Sequence, residues 1–217
     1  MPASKKDTRR IPTKYFTAIV VILYSIGVVG LRLNDTRETF IWLFPWLILF
    51  IFGGLLYFQK YWNLRAVRFL SLATVLFFGI EILSFKTGKV FGPIIYGDTL
   101  GFKIFGVPLV LPFFWLTLIY CTGVMVKSLE LNHFLSAGIG AVVVTLTDVI
   151  IEPFAMHFRM WNWDHNHAPL QNYFACLLIS FLILLYFHSA KTKIRNSMAI
   201  PVLLSQIGFF LAFEIIG

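Results

Sequence analysis

Four acidic side chains sit in or beside apolar stretches: Glu81 near the end of one run, Asp98 in the glycine- and proline-rich segment after it, and Asp148 and Glu152 inside another run. An ionisable residue at membrane depth is expensive to keep and is by default a functional candidate. The four-residue spacing puts Asp148 and Glu152 on one helical face, with Thr145 one turn before Asp148. Pro153 is expected to end that helix. Glu81 and Glu152 are expected near helix C-termini, where the partial negative charge of the helix, together with apolar burial, opposes ionisation. A carboxyl kept neutral in this way can deliver a proton near neutral pH, and a second, ionised one can accept it. Taken singly, each acid is explained as well by a structural pair with Lys86, Lys89, Lys103 or Arg159. Taken together, the four read as a catalytic pool, because perturbed carboxyls gather at active sites. Which is acid and which is base stays open.

The stretch WNWDHNH offers Asp164, His165 and His167 as metal ligands, with His157 nearby. Its spacing matches no closed zinc pattern and it alternates with tryptophans suited to a membrane interface, so no metal centre is expected. His133 and His188 are read as facing headgroups at helix ends. Cys121 and Cys176 fall at different depths in two apolar runs and are read as apolar filler rather than a disulfide.

Elements able to position these acids follow from composition. Of 217 residues, 59% are hydrophobic and only 13% charged, and the mean hydropathy is +0.82. That balance excludes an ordinary soluble domain. Seven apolar runs begin near Tyr15, Phe40, Val67, Val107, Phe134, Leu170 and Met198, each close to the roughly 20 residues needed to cross a bilayer. The expected fold is an all-α polytopic membrane helix bundle of about seven transmembrane helices, one integral domain over residues 1–217, in the cell membrane. A closed barrel would show short alternating segments instead. Residues 1–14 form a basic cytoplasmic tail. With the N-terminus inside and the C-terminus outside, 12 of the 18 basic residues fall on the cytoplasmic side, which agrees with the positive-inside rule and accounts for the net charge without nucleic acid. The short link RLNDTRET is then the first outer loop. Residues 86–106 must leave regular helix, and irregular backbone at membrane depth survives only where protein or a wet cavity satisfies its polar groups. A pocket or an ordinary exposed loop would each explain them. A retinal-binding opsin would need a lysine in its last span, and Met198 to Gly217 contains none.

Glu81, Thr87-Gly88, Phe91-Gly92-Pro93, Tyr96, Asp98, Leu100-Gly101 and Phe105-Gly106-Val107-Pro108 are followed by Asp148, Pro153, Trp161, Trp163 and Pro169-Leu170-Gln171-Asn172-Tyr173. In order and spacing this set resembles the integral-membrane carotenoid hydratase family, which includes bacterioruberin-pathway hydratases of archaea and γ-carotene hydratases of bacteria. The resemblance runs from about Glu81 to Tyr173. It departs at Cys176, where an aromatic is expected, and in the more polar loop from Asp164 to His167. It implies a cofactor-independent hydro-lyase that adds water across the terminal isopropylidene double bond of an acyclic carotenoid end, through a tertiary carbocation. Glu81, Asp98, Asp148 and Glu152 would supply acid and base. Phe91, Tyr96, Trp161, Trp163 and Asn172 would bind the substrate, aromatic faces stabilising the cation. No redox cofactor or metal is implied; the implied partners are a carotenoid held in the bilayer and other enzymes of the same pathway. A membrane carotenoid cyclase using the same protonation, and a non-catalytic carotenoid-binding protein, remain as alternatives.

Overall fold

The computed structural model describes residues 11–190 and 194–216. Most of the basic tail therefore lies outside the described residues, as do Lys191 and Lys193. Seven helices and four short strands are found among those described: α1 (Thr13–Arg32), α2 (Asn34–Phe58), α3 (Leu64–Thr87), β1 (Ile94–Tyr96), β2 (Lys103–Ile104), β3 (Val107–Pro108), α4 (Leu111–Lys127), α5 (His133–His157), β4 (Trp161–Trp163), α6 (Leu170–Ser189) and α7 (Ala199–Ile216). Five of the helices, α1, α2, α3, α5 and α6, are long and apolar enough to cross a membrane, and α4 and α7 are apolar but shorter. The chain is thus a multi-pass, mainly helical membrane protein.

Local chemistry sets the helix ends. Asn63 and Asn132 cap α3 and α5 by accepting the amides of Ala66 at 2.8 Å and Leu135 at 2.9 Å, each removing one orphan donor from the first turn. Gly88 closes α3 in the left-handed conformation, φ +64°, with its amide on the Ser84 carbonyl at 2.7 Å. Two expectations need correction. The link predicted as an outer loop between the first two spans is almost wholly helical: Leu33 alone separates α1 from α2, and Arg37 and Arg32 donate to the carbonyls of Leu31 (3.0 Å) and Phe213 (2.8 Å) there. Pro153 does not end α5, which continues to His157. Proline removes one ladder bond, and neighbouring packing in a membrane bundle tolerates that loss.

The segment predicted to be irregular starts at Gly88, since α3 runs through Thr87, and the fold is not purely α there. β1 and β4 pair antiparallel, Ile94 opposite Trp163 and Tyr96 opposite Trp161. β2 and β3 form a tight hairpin whose turn residues, Phe105 and Gly106, both have positive φ, the geometry that matches strand twist. Side chains alternate across a strand, so Ile94, Tyr96, Trp161 and Trp163 all turn to the buried face of the β1–β4 ribbon, while Ile95 is exposed. Two hydrogen bonds tie this ribbon to the end of α5: the Gly97 N–H donates to the Met160 carbonyl at 3.1 Å and the Thr99 hydroxyl to the Phe158 carbonyl at 2.8 Å. Ser84 on α3 accepts the Phe91 amide at 2.9 Å. Polar backbone at depth is therefore satisfied by protein, as the physics of the bilayer requires.

The ribbon approaches so closely that a Cβ at position 97 would collide with the Arg159 carbonyl. Gly97→Ala should cost about 1–3 kcal/mol, as overpacking does. It should lower the thermal unfolding midpoint in detergent, whereas the same change at Gly79, which meets nothing within 4 Å, should not.

Candidate active site

Three acids converge under the ribbon. Glu81 on α3 and Asp148 and Glu152 on α5 are 3%, 1% and 4% exposed. They line one cavity with Trp115 of α4, Asn172 and Cys176 of α6, and the inward face of β1 and β4. The cavity is a small slot of about 30 Å³, room for roughly two waters. Glu81 stands six residues before the end of α3, and Glu152 five before the end of α5. The helix-end charge expected beside them falls off within the last turn, so enclosure by apolar side chains is the dominant influence on both.

Every acid in the slot has a donor. Glu152 Oε2 accepts the indole N–H groups of Trp161 at 3.1 Å and Trp163 at 2.8 Å. Asn172 spans the two acids of α5, its amide donating to Asp148 Oδ2 at 2.9 Å and to Glu152 Oε1 at 3.4 Å. The Tyr96 hydroxyl donates to Glu81 Oε2. Burial, and then the adjacent Glu81 carboxyl, push the Tyr96 phenol well above its usual range, so it stays an O–H donor. Trp115 lines the same slot as Glu81.

Of the residues singled out in the sequence, Glu81, Asp148, Glu152, Phe91, Tyr96, Trp161, Trp163 and Asn172 all line this slot. Asp98 does not, and its place in the acid pool is corrected: its side chain is fully exposed and ion-paired with Lys103 at 2.7 Å. That hydrogen bond and charge hold its carboxyl below the usual range. The cause is strand geometry and turn chemistry. Tyr96 points inward as the last residue of β1, and the chain then turns outward through Gly97 to a solvent-facing bend. Trp115 was legible only as part of an apolar run, and nothing in its neighbourhood marks it as a site residue. Cys176, read as filler, lies beside Asp148. Its signal was its position four residues after Asn172, which places both on one face of α6. His188, expected at a headgroup surface, is instead 8% exposed. Asp164, His165 and His167 lie at the exposed end of the β4 loop, and among the described residues no three His, Cys, Asp or Glu side chains are placed so that they could hold a metal ion.

An acid-lined slot under an aromatic roof, enclosed by apolar helices, defines a multi-pass membrane protein with a candidate interior site for an apolar molecule. The chain belongs to the carotenoid biosynthesis protein family, whose pattern it matches over residues 39–216. Bisanhydrobacterioruberin hydratase of Haloarcula japonica is similar to it, 30% identical over 131 residues that make up 57% of this chain and 45% of the relative. The chain thus spans less than half the length of that curated relative. No solved structure matches it.

The Asn172 amide donates to two buried carboxyls at once. Asn172→Leu should leave both short of a donor and cost about 1–3 kcal/mol for each group left unsatisfied, read as a lower unfolding midpoint in detergent. Asn172→Gln, which keeps the amide, should lose less.

Proposed function

We propose that this protein hydrates the terminal isopropylidene double bond of an acyclic carotenoid end. The observation that carries the reading is the convergence of Glu81, Asp148 and Glu152 in a slot whose other walls are aromatic and aliphatic. One carboxylic acid transfers its proton to the CH carbon of the alkene, leaving a tertiary cation on the carbon that bears the two methyl groups. The oxygen of a water adds to that cation and the water gives up one proton to a second carboxylate, so that the net change is one water added and a tertiary alcohol formed. Proton transfer from one carboxyl to the other restores the starting state.

The hydrogen bonds favour a division of labour. Glu152, accepting from two indoles and an amide, is suited to act as the carboxylate that receives the proton of water. Asp148, one helical turn away and with a single short bond from Asn172, or Glu81, through its contact with Tyr96, supplies the proton to the alkene. The rings of Tyr96, Trp161 and Trp163 surround the position where positive charge develops, and aromatic faces stabilise a desolvated cation by about 2 kcal/mol or more. The name of the relative concerns that protein, and it supports hydration here only as one likeness among these features.

The test is the pigment mass profile of lycopene-producing and γ-carotene-producing bacterial cells with and without the protein. The expected product is more polar and heavier by one water. Glu152→Gln, and whichever of Asp148→Asn and Glu81→Gln removes the proton donor, should each lower its formation by about 10²–10⁴-fold, the usual contribution of a general acid or base, with membrane levels of the protein maintained. Asp98→Asn, on the exposed side of the ribbon, should remain active. Full activity of both Asp148→Asn and Glu152→Gln would overturn the assignment, and a product of unchanged mass would mean cyclisation instead.

A further inference from the structure

The slot is too small for more than the end of a long polyene, so the remainder of such a molecule must lie elsewhere. Its surroundings are closed in most directions. α3 packs on α4, α4 on α5, and α5 along much of α6. The β1–β4 ribbon roofs the slot. Beyond Leu111 and Trp161, which line both, lies a small apolar void of about 10 Å³ inside the bundle. The remaining seam is the one between α3 and α6, which make no extended contact. They meet at one level, where Phe69 packs on the rings of Tyr186 (6.2 Å between centroids) and Phe187 (5.0 Å). At the opposite end α6 is tied to the loop that follows α3, where Gln171 donates to the carbonyls of Lys89 and Val90.

Between these two closures the facing stripes are apolar. Helical periodicity places Ala73, Leu76 and Ile80 on the side of α3 that carries Phe69, and Ala175, Ile179 and Ile183 on the side of α6 that carries Tyr186. Ile179 also lines the slot, and Leu76 is exposed on the outer surface of the bundle, so the seam runs from the acids to the lipid-facing side. We propose that this seam is a lateral entrance from the bilayer, in which the apolar polyene of the substrate lies while its reacting end reaches Glu81, Asp148 and Glu152. The inference rests on the proposed function and adds the route and the residues that hold the chain.

A reversible block tests it. Ile80→Cys and Ile179→Cys, each purified in detergent, would be treated with benzyl methanethiosulfonate, assayed for conversion of the carotenoid established for the unmodified protein, and assayed again after dithiothreitol. The expected result is a loss of rate on labelling, recovered on reduction, that is at least tenfold larger in both variants than in the identically treated wild-type protein, whose own Cys176 lines the slot, or in Leu178→Cys, whose side chain is exposed one residue away. Recovery after reduction shows that labelling blocked a route and did not unfold the protein. Unchanged rates in both labelled variants, with the attached mass verified, would overturn the entrance while leaving the hydratase reading intact. A wild-type protein that converts no carotenoid would instead remove the reading on which the entrance rests.

Discussion

The structure depends on keeping three carboxyl groups away from water inside a bundle of apolar helices. A polar group moved into such surroundings without a partner costs several kcal/mol, so each of these acids dictates what stands next to it. Glu152 requires the two indole N–H groups of β4, and those indoles can reach it only because β4 lies flat beneath the protein surface, paired with β1. Asp148 and Glu152 together require an amide from α6, which fixes the register of α6 against α5 at Asn172. Glu81 requires the phenol at the end of β1. The acids thus hold together the elements that enclose them.

A two-stranded ribbon is an unusual roof for a membrane site, because its edges expose unpaired backbone groups. Here the edges are dealt with locally. Gly97 and Thr99 bond to carbonyls at the end of α5, Ser84 takes the Phe91 amide, and the Lys103 ammonium covers the Tyr96 carbonyl at 3.0 Å. Aromatic packing stiffens the same end of the bundle: Phe154 contacts Phe44, Phe158, Phe209, Phe210 and Phe213. A site held by such packing is preorganised, which matters for a reaction in which a cation must form and be captured within a slot of fixed shape.

Much of the candidate site was legible because it is local. The four-residue spacing of Asp148 and Glu152 is a statement about helix geometry, and it holds. Glu81 stood out as an acid in an apolar run. The tryptophans of WNW, read in the sequence as suited to a membrane interface, form a strand in the structure, whose period of two turns both rings to one buried face. Asp98 shows where such reasoning ends. It is two residues from Tyr96 and in the same glycine-rich segment, yet the turn at Gly97 sends it outward to Lys103. Trp115 shows the converse, a residue with no mark in the sequence that the packing of α4 brings to the same slot as Glu81.

By itself the sequence determined a multi-pass chain of apolar helices, the shared face of Asp148 and Glu152, and an irregular segment after the helix that carries Glu81. These follow from hydrophobic length, helical period and the scarcity of charge, which act over a few turns of chain. Tertiary structure alone decided that residues 94–96 and 161–163 pair across more than sixty positions, that Asn172 bridges two acids on another helix, and that α3 and α6 part between Phe69 and Gln171. Those outcomes depend on which surfaces meet when the helices pack, and no local pattern carries that information.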